Sequence, residues 1–152
     1  FNLAKHAPDR FRSFILGGAH PYAEDMQPFR DVMPRDRDAF AAMVDQAVGN
    51  RLAPAMRTRW HANDLDALRA LTQDRESNAD VLPSMAMPCL LYVGELDSRS
   101  PGVRQCASEL PNAAFFSLPQ CDHTGGIASR ELVIPHLKAF LSKVHGLMEP
   151  DM

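Results

Sequence analysis

The sequence predicts an α/β protein built on an open parallel sheet of about three strands, with flanking helices and a helical insert. Three observations carry this. Short apolar runs at residues 12–16, 88–93 and 113–118 are the strand candidates, and glycine closes the first two. Amphipathic helical patterns follow the second and third runs. Between the first and second runs, residues 20–84 offer helical spacing and no strand candidate.

Taken in order, Leu3, Ala4 and Ala7 share a helical face that Pro8 and Asp9 terminate. The run Ser-Phe-Ile-Leu then ends at Gly17-Gly18, as a buried parallel strand does. In the insert, Asp36 is placed to cap a helix with Phe40, Met43, Val44, Ala47 and Val48 on one side. Leu52, Met56 and Trp60 predict a second helix with Pro54 in its first turn. Asn63 is assigned as the cap of a third, along which Leu65, Leu68 and Leu71 align.

The run from Pro88 is the clearest strand and leads into Gly94-Glu95-Leu96-Asp97. Ser100-Pro101 starts a helix whose inner face is Val103, Ala107 and Leu110. The third strand is followed by a loop, residues 119–126, that contains Asp122 and His123. Val133, Leu137, Phe140, Leu141 and Val144 give the last helix its apolar stripe. Pro135 predicts a kink or a late start there, and the tail from Gly146 is expected to fray.

The composition narrows the function classes. The 152 residues suit one domain with a real core, and a net charge of −3 without basic stripes argues against a nucleic-acid partner. The longest apolar run is far too short for a bilayer, so no membrane association is expected. Three cysteines, Cys89, Cys106 and Cys121, match no metal or redox spacing and read as small buried residues in a reduced, cytoplasmic protein. No cofactor and no metal is predicted. A chain opening on Phe1 without methionine leads us to expect further sequence upstream.

In open α/β sheets, functional loops lie at the carboxyl ends of strands. Asp97 and His123 each fall just beyond a strand, in the order acid then histidine. Hydrolysis by a triad needs a nucleophile, an imidazole to take its proton, and a carboxylate to orient the imidazole.

At these residues the chain resembles the α/β-hydrolases. Leu91-Tyr92-Val93-Gly94-Glu95-Leu96-Asp97-Ser98-Arg99-Ser100-Pro101 is similar to their penultimate strand and acid turn. Pro111-Asn112-Ala113-Ala114-Phe115-Phe116-Ser117-Leu118-Pro119, with Asp122-His123, resembles the last strand and histidine loop. Residues 3–16 look like the end of the helix after the nucleophile and the strand that follows it.

The resemblance implies a partial α/β-hydrolase fold. Residues 1–19 and 85–146 would form the C-terminal part of the core, residues 20–84 a cap, and residues 147–152 a tail. It implies that Asp97 is the triad acid and His123 the general base, acting on a small-molecule ester beneath the cap. Asp122 is the less suitable orienting partner, being adjacent to His123. His20 and Trp60 are candidate pocket residues, although core packing is the simpler role for Trp60. Met26, Met33, Met43 and Met56 are candidates for an apolar pocket floor, with cap packing again the simpler reading.

No Gly-x-Ser-x-Gly elbow occurs in the sequence. By the resemblance, nucleophile and oxyanion hole should lie upstream, so this chain alone is not expected to be active. The first strand would lose a neighbour and become an apolar edge, which predicts pairing with a second copy or a partner chain. The alternatives to a hydrolase are a non-catalytic self-associating module and one half of a split enzyme.

Overall fold

The computed structural model describes residues 1–47 and 54–146, which form eight α-helices and three strands. Val48 and Leu52, expected on helices of the insert, lie outside the described residues, as does the side chain of Met56. The chain divides into two compact units, one of Phe1–Tyr22 with Asn78–Met152, the other of Ala23–Ser77.

The first unit is built on a parallel sheet in the order β1-β2-β3, with β1 at Phe14–Gly17, β2 at Cys89–Gly94 and β3 at Ala113–Leu118. Phe14 sits opposite Cys89, and Cys89 opposite Ala113, so the three strands are in step. The central strand is buried at every residue except the half-buried Tyr92, as expected where both faces of a parallel strand are covered.

Alternation along the strands separates two cores. Cys89, Leu91 and Val93 face α1 (Asn2–His6), the short 3₁₀ segment Ala79–Ser84, and α6 (Ser100–Glu109). Ala4, Val81, Leu82, Met85, Val103 and Cys106 complete that cluster. Cys106, expected to be a small buried residue, is more deeply buried on α6 than Leu110 at the end of that helix. On the other face, Leu118, Tyr92 and Phe116 pack with Val133 and Leu137 of α8 (Arg130–His145).

Two expectations in this unit need correcting. Of the kink or late start expected at Pro135, the late start does not occur: the final helix runs through Pro135 from Arg130. Proline at its sixth position removes one intrahelical donor, and the buried Val133 and Phe140 keep the segment on the core. The region after β3 is also more ordered than a loop, because His123 opens a short helix, α7 (His123–Ala128).

The second unit contains α2 (Gln27–Val32), α3 (Arg37–Ala47), α4 (Pro54–His61) and α5 (Leu65–Ala70). Asp36 accepts from the Ala39 N–H at 2.9 Å and so caps α3. Asp64 rather than Asn63 caps α5, because its Oδ1 reaches both the Asp66 and Ala67 N–H groups. Leu71 falls past the end of that helix and is exposed, so it does not extend an apolar stripe with Leu65 and Leu68.

Met26, Met33, Phe40 and Ala41 are the buried apolar residues of this unit. At its base, Glu24 and Arg75 exchange both backbone hydrogen bonds as an isolated antiparallel bridge. The Arg30 guanidinium ties α2 to the segment after α5, donating to the Thr72 carbonyl at 2.6 Å and the Asp74 carboxylate at 2.8 Å.

Candidate functional site

Beyond β2 the chain makes a tight turn in which the Asp97 N–H donates to the Gly94 carbonyl at 3.2 Å and Ser100 N–H to that of Asp97 at 2.9 Å. The turn buries the Asp97 side chain. One carboxylate oxygen, Oδ1, accepts from the Arg99 N–H at 2.9 Å. The other, Oδ2, lies 2.8 Å from His123 Nδ1. The acid is thereby held by its own turn, with one oxygen left for the imidazole.

His123 is delivered from the neighbouring strand. After Leu118 the chain turns through Gln120, at a φ of 55°, and the Cys121 carbonyl accepts from the Leu96 N–H at 2.9 Å. This bond ties the histidine segment to the acid turn. Asp122 then caps α7, its Oδ1 accepting from the Gly125 N–H at 2.6 Å and from the Thr124 hydroxyl at 2.9 Å. Those bonds, the Gly125 N–H foremost, hold the Asp122 carboxyl below the usual carboxylate range. Asp122 is therefore committed to the helix terminus, and Asp97 is the carboxylate that meets the ring.

The pair is asymmetric in exposure: the Asp97 side chain is 2% accessible and that of His123 45%. A buried carboxylate with an exposed imidazole suits a base that must reach another molecule. With Nδ1–H given to Asp97, Nε2 carries the lone pair.

Gly17, Gly18, Tyr92, Val93, Gly94, Asp97, His123 and Gly126 line a small open cavity of about 50 Å³ at this place. Ligand pockets are usually several hundred Å³, so this cavity has room only for a small group. Among the described residues that line it, the sole hydroxyl belongs to Tyr92. The thiols of Cys89, Cys106 and Cys121 are buried, and burial pushes those of Cys89 and Cys106 up, the latter to about 12. Neither is primed as a nucleophile.

Of the four residues singled out from sequence, the structure brings Asp97 and His123 together and leaves the other two elsewhere. The His20 ring packs beside Gly102 of α6 and 5.5 Å from the ring of Tyr22, and it does not line the cavity. The Trp60 ring packs at a tilt against the buried Phe40, 6.1 Å between centroids, inside the second unit. Gly18, by contrast, lines the cavity without having been singled out, since the Gly17-Gly18 pair signals only a turn after β1.

Among the described residues no helix is long and apolar enough to cross a membrane. Nor does any group of three or more His, Cys, Asp or Glu among them stand ready to hold a metal ion.

No protein-family model and no curated protein matches the chain. Solved structures do. Rv0554 from Mycobacterium tuberculosis superposes with a TM-score of 0.72 at 20% identity, over 93% of this chain and 60% of that one. An enol-lactonase from Burkholderia xenovorans gives 0.71 at 16% identity, over 92% and 60%. A thermophilic esterase from Thermogutta terrifontis gives 0.67 at 22% identity, over 93% and 60%.

The chain thus spans about 60% of the length of the solved structures it matches. Those structures are α/β-hydrolases, and three parallel strands with flanking helices superpose on them. At these identities the likeness establishes the fold. The chain carries the C-terminal part of the α/β-hydrolase fold.

Proposed function

We propose that Asp97 and His123 are the acid and base of an esterase-type hydrolase, and that they work when a strand-and-elbow segment supplies the nucleophile and the oxyanion hole. The observation that carries this reading is the 2.8 Å contact between His123 Nδ1 and the buried Asp97, at the carboxyl ends of adjacent strands. In the reaction His123 Nε2 takes the proton of the nucleophile as it attacks the ester carbonyl. It returns that proton to the departing alcohol, and water then releases the acyl group by the same route. The esterase and the enol-lactonase among the similar structures support acyl chemistry on a small molecule. Residues 20–84, which fall between β1 and β2 in the chain, are then the cap of that hydrolase.

The test uses short-chain nitrophenyl esters. The chain alone should give no turnover above that of free imidazole. Fusion of a strand and Gly-x-Ser-x-Gly elbow ahead of Phe1 should give turnover that His123→Ala abolishes. Turnover by the chain alone, lost in His123→Ala, would show that the nucleophile lies within it.

A second reading, a self-associating module, rests on β1. This strand pairs with β2 alone among the described strands and is apolar and only half buried at Phe14, Ile15 and Leu16. Such an edge is a template for another strand. Sedimentation over a range of concentrations should then show dimers or larger species, and a strict monomer at high concentration excludes it.

A further inference from the structure

We infer that Gly18 is a positioning residue for His123, in that its missing side chain is what lets the imidazole seat on Asp97. This rests on the reading of Asp97 and His123 as a working pair.

The Gly18 N–H donates to the Tyr92 carbonyl at 2.8 Å, which fixes the end of β1 against β2. From there Gly18 adopts a φ of +58°, in the left-handed region that disfavours side chains. A Cβ placed on this backbone would lie 3.0 Å from both Cε1 and Nδ1 of His123, and 3.3 Å from Asp97 Oδ2. It would therefore press on the nitrogen that bonds to Asp97 and on the carboxylate oxygen that accepts from it.

Of the two partners, only His123 has room to yield. Asp97 is held through its other oxygen by the Arg99 N–H and is almost wholly buried. The half-exposed His123 ring is the part able to move, and the few tenths of an ångström it must give lengthen and weaken the 2.8 Å contact. Gly126, which also lines the cavity, makes a useful contrast. A Cβ there would meet only Leu118 Cδ1, at an ordinary 3.7 Å.

The experiment reads the pair without any assay of hydrolysis. Nitrogen NMR of the neutral imidazole in the full chain gives the ratio of the Nδ1–H to the Nε2–H tautomer. In the wild type Asp97 should hold His123 largely as Nδ1–H. Gly18→Ala should lower that ratio about tenfold, the effect of losing one charge-assisted hydrogen bond. Gly18→Asn separates side-chain intrusion from backbone strain, because asparagine tolerates this φ and still carries a Cβ.

A tenfold fall in both variants, with Gly126→Ala unchanged, supports the inference. If Gly18→Ala does not fold, the Asn variant decides it. A wild-type ratio in the Asn variant overturns the role of Gly18 and leaves the Asp97–His123 pair intact. Absence of the Nδ1–H preference in the wild type overturns the pair itself, and with it this inference.

Discussion

Asp97→Asn is expected to lower ester hydrolysis by the elbow-supplied chain about 10⁴-fold, the scale seen when a triad acid becomes its amide elsewhere. The reason is specific to how Asp97 is held. Its two oxygens have separate duties, Oδ1 accepting from the Arg99 N–H and Oδ2 facing His123 Nδ1. An amide has one oxygen for these two donors. In the buried turn that oxygen stays with Arg99, since an unpaired backbone N–H there would be costly. The NH₂ group then points at Nδ1, makes it an acceptor, and moves the ring proton to Nε2. An imidazole with Nε2–H cannot take a proton from a nucleophile.

The expected readout is a fall in kcat together with a switch of the neutral tautomer to Nε2–H by nitrogen NMR. KM should change little, because Asp97 lies behind the imidazole. Activity of the Asn variant within about tenfold of wild type would mean that His123 is oriented by something else.

The parts of this arrangement that were legible in sequence are those set by strand order. Asp97 and His123 both follow apolar runs, and side-by-side parallel strands bring their carboxyl ends together whatever the exact register. The burial of Cys89 and Cys106 was legible for a similar reason, since small apolar side chains at strand and helix core positions are buried in almost any packing. Gly18 was not legible as part of the site. Its role depends on the register of β1 against β2 and on a φ of +58°, and a Gly-Gly pair after a strand signals only that the chain turns. The choice of cap for α5 failed for a different reason. Asn63 and Asp64 are both good caps, and which one sits at the helix start is decided by the last turn of α4 and the short link after it. His20 shows a third limit, because its position after Gly17-Gly18 did not reveal that it packs beside Gly102 of α6.

Gly94→Ala is the stability counterpart, and its expected cost is about 3 kcal/mol, the upper end for overpacking a tight interior. Gly94 is the last residue of β2, and a Cβ there would run into the Cys121 carbonyl oxygen and come within 2.7 Å of the Asp122 oxygen. Both obstacles are backbone, so no rotamer change relieves them. The histidine segment would have to back away as a unit. That strains the bonds that join it to the acid turn, Glu95 N–H to the Leu118 carbonyl at 3.0 Å and Leu96 N–H to the Cys121 carbonyl at 2.9 Å. Urea unfolding should show a lower midpoint at an unchanged slope. Gly126→Ala should be neutral or stabilising by about 0.5–1 kcal/mol, because it adds a methyl to a helix with ordinary contacts. Since the displaced segment carries His123, Gly94→Ala should also remove most of what Asp97 contributes. Adding Asp97→Asn to it should then lower activity far less than the 10⁴-fold expected alone, a non-additivity that a double-mutant cycle measures directly. Wild-type stability in Gly94→Ala, or full additivity of the two changes, would mean that the turn after β2 and the histidine segment are not mechanically joined.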